Sequence, residues 1–249
     1  MPEKNLSIRT ADGVCPARLF RPDGGEIAPV ILYMDAFGPR AALDQMAMRL
    51  VAEGYAVLVP DLLYRCEDRA PFPATEGFSD PVRGPLLRSY LAGTTQAMTI
   101  ADTGHFLAAL DAEGLTGPVG VTGYCMGGAR ALNAASHYPD RVVAAASWHG
   151  GHLAADIPDA PHLTAAKVKA RLYIGAAGID SGFPPEQAAR FMEAYRAAEV
   201  DFTYENYKDC KHGWCVPDHS VFDAAGAERQ WSRLFAFFGE TLKGQGRGG

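Results

Sequence analysis

The sequence predicts an α/β fold in which an open, mostly parallel central sheet carries helices on both faces, and three observations lead there. Short apolar runs, of the kind strands show when buried on both sides, recur at 29–34, 55–60, 118–124, 141–148 and 170–175. Segments with apolar residues at helical spacing alternate with them, as the crossovers of a parallel sheet require. Finally, Cys125, Trp148, Asp180 and His212 fall at or after the ends of predicted strands, the rim where ligands of such sheets bind.

Each element has its own signal. Two alternating segments, 6–10 and 14–21, flank Asp12-Gly13 and predict a hairpin, which Pro22-Asp23-Gly24-Gly25 ends. The run at 29–34 closes in the loop Asp35-Ala36-Phe37-Gly38-Pro39. From Arg40 to Glu53, Ala42, Leu43, Met46, Met48 and Leu50 recur at roughly helical spacing, and Gly54 offers a C-cap. After the strand at 55–60, residues 61–94 break into Pro, Arg and aromatic side chains, an irregular excursion placed to cover a pocket. Helices are expected at 95–112, 185–198 and 224–242, and a further strand at 201–207.

Composition narrows the function. At 249 residues, 48% hydrophobic and 21% charged, the chain has the make-up of one large globular domain, expected over 1–243 with a flexible tail at 244–249. A net charge of −6 with no basic stripe argues against a nucleic-acid or anionic-membrane surface. A small-molecule substrate, acted on by a monomer or small homo-oligomer, is the expected partner. The N-terminal residues contain no signal-peptide core and the chain no transmembrane-length run, which predicts a cytoplasmic protein. Five scattered cysteines, Cys15, Cys66, Cys125, Cys210 and Cys215, read as reduced thiols rather than a disulfide framework or a metal site. Neither Gly-Lys-Ser/Thr nor Gly-x-Gly-x-x-Gly occurs around the central motif, so no cofactor or metal is expected.

That motif is Gly123-Tyr124-Cys125-Met126-Gly127-Gly128, a Gly-x-Cys-x-Gly between an apolar strand and a run of good helix formers. Strand, sharp turn and helix make a nucleophile elbow, in which small flanking residues let strand and helix pass close to a strained nucleophile. A thiol there sits near helix N–H groups that favour the thiolate. Glycines in a plain turn around a buried cysteine give the same pattern. The order nucleophile, acid, histidine that accompanies this elbow is met by Cys125, Asp180 and His212. His149 is the serious rival, since it too follows a strand end, but it precedes Asp180. Asp201 opens a strand at the wrong end, and Asp209 reads equally as a surface charge.

Through Asp35-Ala36-Phe37-Gly38, the Cys125 motif, Asp180-Ser181-Gly182-Phe183-Pro184 and His212-Gly213, most of the chain resembles the dienelactone hydrolase family of α/β-hydrolases. The resemblance implies a single α/β-hydrolase domain with Cys125 as nucleophile, His212 as general base and acid, and Asp180 orienting His212. It puts the backbone N–H groups of Met126 and Ala36 at the oxyanion hole. The family carries an acidic residue at Asp35, beside the thiol, implicated in keeping the sulfur protonated; Asp35 is shorter than the glutamate of the best-known members. Asp35, Phe37 and Trp148 are the candidate substrate-binding residues.

Family members that cleave dienelactone hold its carboxylate with arginines, one of them a few residues beyond the histidine. Here that stretch is Gly213-Trp214-Cys215-Val216-Pro217-Asp218, which predicts a preference for uncharged short esters or lactones unless Arg65, Arg69, Arg83 or Arg88 substitutes. Two classes of function follow: a cofactor-free hydrolase of small esters or lactones, and a non-hydrolytic small-ligand binding protein on the same fold.

Overall fold

An antiparallel hairpin opens the chain: β1 (Glu3–Thr10) pairs with β2 (Gly13–Phe20), Thr10 opposite Gly13. The computed structural model describes residues 3–25, 28–66, 73–75 and 77–243. The tail at 244–249 and Arg69 lie outside the described residues. Strands β3 (Pro29–Tyr33), β4 (Ala56–Pro60) and β5 (Val119–Tyr124) are buried at every position, which is why they read as continuous apolar runs. With β6 (Val142–Trp148), β7 (Arg171–Ile179) and β8 (Phe202–Lys211) they complete an eight-stranded sheet in the order β1-β2-β4-β3-β5-β6-β7-β8. The two pairings made by β2 are antiparallel and all others parallel.

Helices α1 (Ala41–Ala52), α2 (Arg83–Ala92), α3 (Gln96–Ala112), α4 (Met126–His137), α5 (Pro185–Ala197) and α6 (Ala224–Thr241) supply the outer layers. Gly120 on β5 faces Leu242 and Phe238 at the end of α6, while α4 packs on β5 and β6 as their crossover. Thr95 caps α3 by accepting from the Met98 N–H, and Asp223 caps α6 by accepting from Gly226.

Two elements depart from expectation. The segment 61–94, expected to be irregular, contains the ten-residue helix α2. It buries only Gly84, Leu87 and Tyr90 and leaves Leu86 exposed, so no amphipathic period marks it. Pro85 stands in its first turn, where the missing N–H has no helical partner to lose. Strands β7 and β8 also run four residues beyond their expected ends, through a register shift between Ala177 and Ile179. Because β5 to β8 are parallel, their C-terminal ends share one rim, and it carries Cys125, His149, Asp180 and His212.

Candidate active site

Cys125 occupies a backbone conformation that L-residues avoid, φ 56° and ψ −120°, between the last residue of β5 and the first of α4. The strain persists because strand and helix leave no room for another path. A Cβ on Gly123 would lie 1.9 Å from the Gly127 carbonyl oxygen, and one on Gly127 would lie 2.4 Å from that of Tyr33. The second contact presses the first turn of α4 against the end of β3. Met126 opens that helix, and its N–H belongs to the group a helix start leaves unbonded.

The structure brings Cys125, His212 and Asp180 together. His212 Nδ1 lies 2.7 Å from Asp180 Oδ2, and His212 lines the same cavity as Cys125, with which it interacts electrostatically. Asp180 is held in turn, its Oδ1 accepting from the Gly182 N–H at 2.7 Å. Burial alone would lower the His212 pKa. Instead the electrostatic interaction with Cys125, then the hydrogen bond to Asp180 and the Asp180 charge, push it up to about 11.

His149 is placed differently. Its Nδ1 accepts the Cys125 backbone N–H at 3.1 Å, and its ring stands edge-on to His212 with centroids 4.9 Å apart. Burial, then the charges of His212 and His219, hold its pKa well below the ordinary value, so it stays neutral. Its hydrogen bond is to the Cys125 backbone.

Cys125 and His212 open into a cavity of about 570 Å³. Phe78, Leu91, Met126, Ala129 and Ile157 form its apolar wall, and Thr94, Gln96, His152, Arg130 and Asp159 its polar side. Three expected substrate contacts are corrected here. Trp148 is fully buried: strand alternation turns it onto the sheet, between Tyr173 and Tyr207, with its Nε1–H donating to Thr122 Oγ1 at 3.1 Å. Asp35 is fully buried as well, its two carboxylate oxygens taken by Arg40, His219 and the Phe37 N–H. Control of the thiol's proton is not a task that carboxylate is placed to perform. Phe37 packs behind Phe78, centroids 6.1 Å apart, rather than lining the cavity itself.

The expected substitutes for a carboxylate clamp also fall elsewhere. Arg65 is forked onto Asp102 and bonded to Asp12, and Arg88 reaches the Phe78 carbonyl oxygen. Val216, the basis for expecting uncharged substrates, is fully buried and outside the cavity lining. The guanidinium that does line the cavity is Arg130, on α4 one turn beyond the nucleophile. Its Nη2 donates to the Thr94 carbonyl oxygen, and its Nε and Nη1 have no hydrogen-bond partner. A charged residue inside the apolar run that follows the elbow was the sequence signal for it. Among the described residues no cluster of three or more His, Cys, Asp or Glu is arranged to hold a metal ion, and no helix is long and apolar enough to cross a membrane.

A strained elbow at the centre of a mostly parallel eight-stranded sheet, with Asp180 and His212 following the ends of β7 and β8 on the same rim, defines the α/β-hydrolase class. Solved structures agree on the fold. A "Putative Dienelactone Hydrolase" from Klebsiella pneumoniae superposes with a TM-score of 0.84 at 22% identity, over 96% of this chain and 98% of its own. A cold-adapted esterase from an Arctic intertidal metagenomic library gives 0.67 at 18% identity, over 94% and 93%. The carboxymethylenebutenolidase of Pseudomonas putida is 27% identical over 226 residues, 90% of this chain and 91% of its own. Residues 15–242 match the model of the dienelactone hydrolase family. The chain belongs to that family and is a hydrolase acting on ester or lactone bonds.

Proposed function

We propose that the chain hydrolyses small carboxylic esters or lactones through a Cys125–His212–Asp180 triad. One observation carries the reading: Asp180 is hydrogen-bonded to His212 Nδ1 at 2.7 Å, and His212 opens with Cys125 into one cavity. The Cys125 sulfur attacks the carbonyl carbon, and the C=O electron pair moves onto oxygen, where the N–H groups of Met126 and Ala36 receive it. Collapse expels the alkoxide, which takes the His212 proton and leaves a thioester. Water then attacks that thioester as His212 removes its proton, and the second collapse releases the acid and regenerates sulfur and imidazolium. Each oxyanion donor is worth about 3 kcal/mol of barrier.

Intact mass spectrometry after mixing with an activated short-chain ester tests this. One acyl group should accumulate on the unaltered protein and none on Cys125→Ala, which should keep the fold and lose turnover. Cys125→Ser should turn over poorly, because its hydroxyl has a far higher pKa than a thiol. Activity of Cys125→Ala within a few-fold of the unaltered protein sinks the mechanism.

A further inference from the structure

The carboxylate of Asp35 is one of the most completely bonded groups in the protein, and none of its partners is the thiol. Oδ1 accepts from the Phe37 N–H at 3.0 Å and from Arg40 Nη1 at 2.7 Å; Oδ2 accepts from Arg40 Nη2 at 2.8 Å and from His219 Nε2 at 2.9 Å. Arg40 reaches on to the far side, donating from Nε and Nη2 to the two oxygens of Asp218 at 2.6 and 2.8 Å and from Nη1 to the Gly38 carbonyl oxygen at 3.1 Å. A planar guanidinium engaged on two carboxylates fixes direction as well as distance, which a lysine ammonium does not.

These bonds join two loops far apart in sequence. One runs from Asp35 to Arg40 and contains Ala36. The Phe37 N–H bonded to Asp35 Oδ1 makes an Asx-turn that sets the backbone at Ala36. The other loop leaves His212 through Gly213, whose φ is +98°, and reaches Asp218 and His219. His219 Nδ1 would lie 2.3 Å from a Cβ on Gly213, so the ring rests against the residue next to His212. It also meets Phe37 edge-on at 5.2 Å. His212 is already tied to β7 through Asp180. The loop at Ala36 has its tie to the histidine's side of the site through this cluster.

Resting on the triad reading above, we infer that Asp35, Arg40, Asp218 and His219 form a clasp that holds the Ala36 loop in register with the Cys125–His212 pair. They are positioning residues for the oxyanion hole. Asp35, which the family resemblance associates with the thiol, serves here as the clasp's buried centre.

The test compares Asp218→Asn, Arg40→Lys and Asp218→Glu with the unaltered protein on an activated ester, alongside thermal unfolding and the rate of Cys125 alkylation by iodoacetamide. The side chain of Asp218 lies at the rim, 39% exposed, so the fold should tolerate its change. Alkylation needs the thiolate and His212 but no oxyanion hole. Asp218→Asn and Arg40→Lys should lower kcat about tenfold, since small misplacements at a reacting centre cost that much or more. KM and the alkylation rate should stay within about twofold, and Asp218→Glu, which keeps the charge, should recover most of kcat. Unchanged kcat in folded Asp218→Asn and Arg40→Lys overturns the clasp, as does a parallel fall in kcat and alkylation. If the unaltered protein forms no acyl-Cys125, it is the triad reading that fails.

Discussion

His212 and His149 carry the same ring within contact distance of each other, and only their partners separate them. His212 meets a carboxylate and opens with Cys125 into the cavity, whereas His149 meets a backbone N–H that the Trp148 carbonyl oxygen also accepts, at 3.1 Å. Loss of a general base costs about 10²–10⁴-fold, while a backbone donor that keeps a second acceptor loses about 1 kcal/mol or less. His212→Ala should therefore reduce kcat/KM on one activated ester far more than His149→Ala, whose loss should stay below about tenfold. An equal or larger loss at His149 reverses the assignment. The elevated pKa of His212 adds a second expectation. A group raised from 6.5 to about 11 on folding contributes stability that is complete below pH 6.5 and is lost as pH rises toward 11. Asp180→Asn removes one of the interactions that raise it. The deficit of that variant in urea unfolding should be greatest near pH 6 and shrink toward pH 10, and a deficit growing with pH would contradict the charged pair.

At the scale of elements, most of the fold was legible because the strands announced themselves. β3, β4 and β5 are apolar at nearly every position, since both their faces are covered, and the elbow stood out through the glycines that β5 and α4 need to pass each other. Helix α2 was not legible: with three buried residues and an early proline it forms by docking, and its periodicity alone carries too little information. The elbow's glycines are required by contact and not by helix or strand propensity, and two alanine variants separate those causes. Gly123→Ala places a methyl 1.9 Å from a backbone oxygen, so the strand and helix must part and the protein should fail to fold or melt at a much lower temperature. Gly239→Ala, inside α6 with nothing within 4 Å of the new methyl, should raise stability by about 0.5–1 kcal/mol. Urea titration followed by circular dichroism measures both; a stable, unperturbed Gly123→Ala would mean that the elbow tolerates a wider turn.

At the scale of the whole molecule, the shared rim of Cys125, Asp180 and His212 was readable in the sequence and the cavity was not. Cys125, Asp180 and His212 sit at the ends of strands whose order sequence can give, so topology alone brings them to one rim. The cavity wall is assembled from α2, the turn before α3, α4 and the loop after β6, and which side chains face inward depends on packing that no local pattern encodes. Trp148 was expected at the substrate and lies in the core, while Arg130 passed as part of a helix and lines the cavity. Burial lowers the Arg130 pKa to about 10, with the Asp159 charge working the other way, so the guanidinium stays charged at neutral pH. No carboxylate forms an ion pair with it among the described residues. A positive charge at the wall of the cavity should favour an anionic substrate over a neutral one of equal shape by about 1–2 kcal/mol. Matched esters with one leaving group, one ending in a carboxylate and one in its uncharged amide, report that difference through kcat/KM. Arg130→Gln, which keeps a donor for the Thr94 carbonyl oxygen, should lower kcat/KM for the carboxylate ester by about tenfold relative to the amide-bearing one. Equal losses on both esters would assign Arg130 to holding the turn before α3, with its charge out of reach of the substrate.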